Sequence, residues 1–210
     1  MYLLLMVGVA SGLSPASAPQ LRNEVCAALA ACALFGPGVP AVADGQTEKF
    51  RLPPVNKNDV SRCAFRSSSM GQANAARDKL YDLRFCDMGK SKADGFDLSG
   101  AILSEADFSG ASFRETMLSK AYAKNSKFKE ADFTNAVVDR VSFEGSDMQG
   151  AVFANAVLTG TSFDGANLRN VDFTEALIGQ FDLKNICKNP TLEGENPTTG
   201  APTRDSAGCP

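Results

Sequence analysis

Residues 96–185 read, in groups of five, FDLSG AILSE ADFSG ASFRE TMLSK AYAKN SKFKE ADFTN AVVDR VSFEG SDMQG AVFAN AVLTG TSFDG ANLRN VDFTE ALIGQ FDLKN. The third residue is apolar in all eighteen groups, and the first is Ala, Ser or Thr in fourteen of them. Such a bias, sustained without an insertion, indicates an internal repeat. The repeat decides the fold before any single element is assigned.

The period of five residues excludes an α-helix. Five residues turn about 500° on a helix, so the apolar third residues would spread around the cylinder instead of forming one stripe. In an extended chain the first and third residues point to the same side, and the two remaining residues can turn a corner. Each group therefore predicts one side of a coil, although spacing alone permits three, four or five sides.

The groups resemble the A(D/N)LXX motif of pentapeptide-repeat proteins, most closely at Ala106-Asp107-Phe108, Ala131-Asp132-Phe133 and Ala166-Asn167-Leu168. The resemblance implies an all-β fold, a right-handed quadrilateral parallel β-helix in which the third residue fills the core. Residues twenty positions apart would then stack in successive coils.

Sorting the third residues by twenty gives columns of similar side chains. One column holds only phenylalanine and another only aliphatic residues: Phe113, Phe133, Phe153 and Phe173, against Leu98, Leu118, Val138, Leu158 and Ile178. The chain has fourteen Phe, three Tyr and no Trp. This composition predicts a core in which the same narrow apolar position recurs in each coil and is often filled by phenylalanine. Two bulky residues at small-residue positions, Phe96 and Phe181, are expected to fit only at the ends of the coil.

Four regions follow from the sequence. In-register groups at residues 81–83 and 86–88 place the start of the coil near residue 81, with irregular turns around Gly89 and Gly95. Ahead of it, Ser68 to Leu80 predicts a short helix that caps the open coil. The predicted regions are a cleaved targeting segment 1–43, an N-terminal extension 44–80 with the capping helix, the solenoid 81–186 and a capping tail 187–210.

The leader has the features of an export signal. An apolar run over residues 25–35 is followed by Ala41-Val42-Ala43, a cleavage site of the A-x-A type. A second small-x-small site, Ala16-Ser17-Ala18, indicates two stacked signals and passage across more than one membrane. A single Sec-type signal is the alternative, and a permanent anchor is disfavoured because the run is too short to span a bilayer.

Four cysteines remain after removal of the leader, and their even number in an exported chain indicates disulfides. Because the repeat separates the first two from the last two, we expect Cys63 to pair with Cys86 and Cys187 with Cys209. Closing each loop would stabilise the folded state by roughly 3 kcal/mol in the chain-entropy model. Free thiols or a switchable bridge are the alternatives.

Composition argues against most site chemistry. The formal net charge is -3 and there is no His, which disfavours a nucleic-acid surface, a catalytic triad and most metal sites. Acidic residues such as Asp107, Asp132 and Asp147 fall at the motif's own Asp/Asn position and are interpreted as turn and solubility residues. We therefore predict no catalytic residue, no cofactor and no metal, with an enzyme as a distant third hypothesis.

One outward column is apolar and predicts an interface. After Asp97 at its start it contains Met117, Val137, Val157 and Leu177, with Ile102 and Tyr122 on the neighbouring face. Exposed apolar strips mark contact sites unless another part of the chain covers them. The alternative is that the capping helix or the tail folds over the strip; otherwise a partner protein or self-association is expected.

The tail also resembles the C-terminal segment of pentapeptide-repeat proteins of the chloroplast thylakoid lumen, through Cys187-Lys-Asn-Pro190, Asn196-Pro197 and Thr203-Arg204 up to Cys209. That resemblance implies a thylakoid-lumenal location, which fits the stacked leader; Sec export to another oxidising compartment is the alternative.

The predicted function is a non-catalytic interaction or scaffold module with an unidentified protein partner, such as a thylakoid complex. We expect neither nucleic acid nor a permanent membrane anchor. A disulfide-controlled redox regulator is the competing hypothesis.

Overall fold

The computed structural model describes residues 54–66 and 81–210, all within the compact unit Pro53–Pro210. The targeting segment 1–43 and the helix expected over Ser68 to Leu80 lie outside the described residues.

The middle of the chain is a four-sided coil. Parallel β-bridges join residues twenty apart without a break, from Asp82 with Ile102 to Val157 with Leu177. Each group contributes one bridge residue at its second position and then a turn. Within the described residues the bridges begin at Asp82. The expected irregular turns around Gly89 and Gly95 were wrong, because both residues occupy ordinary turn positions of the same repeat.

Backbone hydrogen bonds explain the period. The third-position N–H donates to the second-position carbonyl of the next coil, as Phe143 does to Ser162, and the fifth-position N–H donates to the fourth-position carbonyl, as Gly145 does to Asp164. The second-position N–H donates to the preceding coil, and the first-position N–H closes the turn within its own coil. One N–H per group, at the fourth position, has no backbone acceptor in this pattern.

The fifth position turns the corner with a left-handed backbone. Every fifth residue from Phe85 to Glu175 has positive φ, and twelve of these residues are not glycine, with φ between 53° and 62°. For a residue other than glycine, this left-handed backbone conformation costs conformational free energy. The strain persists because the two neighbouring coils fix the backbone on both sides of the corner.

The core contains the columns predicted from the sequence. Phe133 and Phe153 stack with ring centroids 4.7 Å apart and an interplanar angle of 5°, and Phe113 and Phe173 continue the stack on either side. Third-position side chains from Leu83 to Phe173 are buried. The columns of similar third-position residues therefore result from direct contact between like side chains in successive coils.

The N-terminal end is closed by residues ahead of the coil. A 3-10 helix, Val60–Arg62, precedes Cys63, which is bonded to Cys86. Phe65 then packs on Phe108 and Phe113, with centroids 6.0 and 5.5 Å away. The residue below Phe113 in its column is Ala93, so Phe65 occupies the space that a third-position phenylalanine would fill.

The C-terminal end departs from the repeat. Helix α1, Gln180–Ile186, replaces the eighteenth group, so residues 181–185 do not form a side of the coil as predicted. Phe181 is 75% exposed and does not cap the coil end, because it points away from the core on α1; Phe96, at the other end, is partly buried against the core as expected.

The coil pattern resumes once after α1. In Pro190-Thr191-Leu192-Glu193-Gly194, Leu192 is buried and Gly194 has a φ of 91°, as third and fifth positions do elsewhere. Asn170 N–H donates to Glu193 C=O, which is 23 residues along the chain instead of 19. Helix α1 is therefore an insertion of four residues in the register. The chain ends with a bridge between Glu195 and Pro202 and the helix α2, Thr203–Ser206.

Candidate functional site

The outward apolar column forms a continuous ladder on one face of the coil. Met117 bridges to Val137, Val137 to Val157 and Val157 to Leu177, so the four side chains stand directly above one another. We refer to these four residues as the apolar ladder. At a rise of about 4.8 Å per coil the ladder is about 14 Å long.

The two ends of the apolar ladder are open to solvent. Met117 is 46% exposed and Leu177 is 60% exposed, while Val137 and Val157 between them are half-buried. The tail covers the end of the coil and leaves Leu177 accessible. The helix expected to cover the strip lies outside the described residues.

The neighbouring face contributes one of its two predicted residues. Tyr122 is 48% exposed and belongs to the same coil as Met117, so it extends the apolar surface around the corner. Ile102 was wrongly predicted to be exposed: it is 1% exposed, because it lies in a covered part of the face where Arg84 and Ser104 are also buried.

Charged corners border the apolar ladder. Lys120 and Arg140 are exposed on the side toward Tyr122, and Glu115 and Glu175 are exposed on the other side. Arg140 pairs with Asp139 at 2.7 Å. The face therefore presents an apolar centre with a basic edge and an acidic edge.

The four cysteines form the two bridges favoured by the sequence, Cys63 with Cys86 and Cys187 with Cys209. The bridges differ in exposure. Cys63 is half-buried but its partner Cys86 is buried against the first coil, whereas Cys187 and Cys209 are both half-buried. The C-terminal bridge is thus the more accessible one.

The second-position acids act in the turns. Asp97, Asp107, Asp132 and Asp172 each accept a hydrogen bond from the N–H two residues later, at 2.8 to 3.0 Å. This is the N–H that the backbone pattern leaves without an acceptor, which explains why the motif carries Asp or Asn at this position.

The pKa of Asp107 reflects this role. Burial raises its pKa, but hydrogen bonds from Ser109 and from the Lys127 ammonium outweigh that effect, and the pKa lies below its ordinary value of 3.8. Asp107 is therefore held as an anion, in a structural turn.

Neither metal-binding nor membrane-spanning features occur in the described part of the chain. Residues 54–66 and 81–210 contain no group of three or more His, Cys, Asp or Glu side chains placed to hold a metal ion. None of the helices described is long and apolar enough to cross a bilayer.

The structure adds two features that were not predicted from sequence. Arg62 donates to backbone carbonyls of the first coil. A cavity of ≈ 360 Å³ lies at the other end, between Gly160–Gly165 and residues of α1. Arg62 stands outside the repeat and carries no periodic signal, and the cavity exists only because residues 181–185 leave the repeat.

Comparison with known proteins gives the following similarities. The family model described as "Pentapeptide repeats" matches residues 82–119, 116–151 and 139–174. The chain is 43% identical over 116 residues to the thylakoid lumenal 17.4 kDa protein, chloroplastic, of Arabidopsis thaliana; the match covers 53% of this chain and 46% of that protein. The chain thus spans about half the length of this curated relative.

Solved structures of the same kind are also similar. A pentapeptide repeat protein from the Arabidopsis thaliana thylakoid lumen is 29% identical, with 58% of this chain and 87% of that chain covered and a TM-score of 0.28. HetL, from the cyanobacterium Nostoc, is 24% identical, with 45% and 42% covered and a TM-score of 0.31.

Proposed function

We propose that this chain, whose residues 82–174 match the pentapeptide-repeat family model, is in its mature form a non-catalytic interaction or scaffold module of the chloroplast thylakoid lumen. Pentapeptide-repeat proteins are generally non-enzymatic structural proteins. The location is supported by the lumenal relatives and by the two stacked signals in the leader.

The apolar ladder is the observation that carries the proposal. Two of its four residues, Met117 and Leu177, are large hydrophobic side chains exposed by about half. Covering such a strip with a partner lowers the free energy of the complex, because apolar surface is removed from water. The apolar ladder is therefore proposed as the contact surface for another protein.

The borders of the apolar ladder define the partner's chemistry. With Lys120 and Arg140 on one edge and Glu115 and Glu175 on the other, a matching surface has an apolar centre flanked by an acidic and a basic edge. Charges at the rim select orientation and partner more than they add affinity. A protein surface with this pattern is the occupant proposed here.

The test uses lysine substitutions on the apolar ladder and a matched control. Val137→Lys with Val157→Lys should abolish capture of the partner from thylakoids with the melting temperature unchanged. Ser142→Lys, which alters the same position of the same coil on the neighbouring face, should leave capture intact. A large fall in melting temperature for the valine variants alone would indicate internal packing and overturn the proposal.

The second candidate function is redox regulation, favoured by the accessibility of the Cys187–Cys209 bridge. The tail that this bridge holds supplies partners to the last coil: Thr191 accepts from Leu168 N–H, and Ser206 accepts from Phe173 N–H. Reduction would loosen these contacts. Thiol counting at thioredoxin-like potentials tests the idea, and a bridge that never opens there would exclude it.

A further inference from the structure

The last coil leaves its hydrogen-bonding edge open on the face formed by residues 161–165. Elsewhere a coil offers three groups per face to the next coil: the first-position C=O and the third- and fifth-position N–H groups. Within residues 54–66 and 81–210, Thr161 C=O, Phe163 N–H and Gly165 N–H have no hydrogen-bond partner. We refer to these three groups as the open edge.

Several N–H groups on the other faces of the coil end are occupied. Gly160 N–H donates to the Asp182 carboxylate at 2.7 Å, Leu168 N–H to the Thr191 hydroxyl at 2.8 Å, and Phe173 N–H to the Ser206 hydroxyl at 3.1 Å. The tail thus satisfies the coil end at three positions and leaves the open edge uncovered.

The register explains why the gap falls there. Residues 181–185, Phe-Asp-Leu-Lys-Asn, continue the repeat in sequence but form α1. The coil pattern resumes four residues late, at residues 190–194, on the next face. One side of one coil is therefore missing from the solenoid.

A cavity lies beside the open edge, where that side of the coil is missing. The cavity of ≈ 360 Å³ is lined by Gly160–Gly165 on one wall and by residues of α1, among them Asn185 and Ile186, on the other. This volume lies at the lower end of the range, from roughly 300 Å³, that ligand pockets occupy. Phe181, 75% exposed, stands at its margin.

We propose that the open edge is a strand-addition site for an extended segment of a partner protein, running parallel to residues 161–165. The first bound residue would donate to Thr161 C=O and accept from Phe163 N–H, and the third would accept from Gly165 N–H. The residue between them would point into the cavity lined by Phe163 and Ile186, so it should be apolar. Backbone pairing gives such sites affinity and the inward side chain gives specificity.

This site is independent of the apolar ladder, because it lies on a different face and uses backbone groups. Failure of the lysine variants of the apolar ladder therefore says nothing about the open edge, and failure at the open edge leaves the proposed function in place.

Nuclear magnetic resonance on the mature chain tests the proposal with a register-matched probe. The probe is the blocked peptide acetyl-Phe-Asp-Leu-Lys-Asn-amide at millimolar concentration, and the control peptide has Lys in place of Leu. We expect saturable shifts and slower hydrogen exchange at the amides of Phe163 and Gly165 with the first peptide only. Equal effects of both peptides, or no effect, would overturn the proposal.

A protein variant gives a second readout. Asn185→Trp should fill the cavity and weaken peptide binding at least tenfold, whereas Lys184→Trp, on the same helix but outside the cavity lining, should not. Amides of Phe163 and Gly165 that are protected from exchange before any peptide is added would mean that the chain fills its own edge, which would also overturn the proposal.

Discussion

Arg62 donates a hydrogen bond from its Nη1 to the carbonyl oxygen of Asp82 at 3.1 Å. Its Nη2 donates to the carbonyl of Arg84 at 2.5 Å. These are a second-position and a fourth-position carbonyl, the two groups that accept N–H bonds from a preceding coil. One guanidinium therefore supplies the donors that the backbone of a preceding coil would supply.

Replacement of Arg62 tests this capping role. Arg62→Ala leaves the two carbonyls without these donors, and a lost partner of a buried polar group costs about 1–3 kcal/mol. We expect a melting temperature several degrees lower. Arg66→Ala is the control, because Arg66 is exposed and donates only through its backbone. Equal melting of both variants would show that Arg62 does not cap the coil.

The phenylalanine stack should dominate stability. Phe153 lies between Phe133 and Phe173, with centroids 4.7 and 5.6 Å away, and is fully buried. Phe153→Ala should cost about 3–5 kcal/mol, because the neighbouring coils cannot collapse into the cavity. Phe153→Leu should cost less, since leucine fills third positions in other columns. Chemical denaturation measures both, and similar losses for the two variants would contradict the packing argument.

Asp107 predicts a specific dependence of stability on pH. Its pKa is lowered in the folded state, so its contribution is complete above the ordinary value of 3.8 and is lost as the pH falls through the lowered pKa. Asp107→Asn keeps an oxygen acceptor for Ser109 N–H but cannot titrate. We expect its unfolding free energy to vary less with pH below 4 than that of the unaltered chain. An identical pH profile would exclude this role for Asp107.

The two disulfides should open in a fixed order. Cys187 and Cys209 are both half-buried whereas Cys86 is buried, so a reductant should reach the C-terminal bridge first. Removal of that bridge by Cys187→Ser with Cys209→Ser should cost roughly 3 kcal/mol in the chain-entropy model. Mass spectrometry of alkylated thiols during stepwise reduction gives the order. Earlier modification of Cys63 and Cys86 would contradict it.

The repeat could be predicted from sequence because its residue types recur at a fixed spacing. The stacking of Phe133 on Phe153 and the turn role of Asp107 both follow from positions in the five-residue pattern. Each of these features depends on contacts that recur at a constant spacing of twenty.

The ends could not be predicted in the same way. Residues 181–185 obey the motif but have no further coil above them on that face, and there they form α1. Leu192 and Gly194 resume the pattern after a shift of four residues, which hides them from a fixed period. Ile102 follows the outward rule, yet local packing buries it.

Site-specific photocrosslinking tests the central claim, that the apolar ladder contacts a partner protein in the thylakoid lumen. A photoreactive residue placed at Val157 should form a crosslinked species with a thylakoid protein. The same residue at Ser142, on the neighbouring face, should not. Absence of any crosslink from Val157, or equal crosslinking from both positions, would contradict the account.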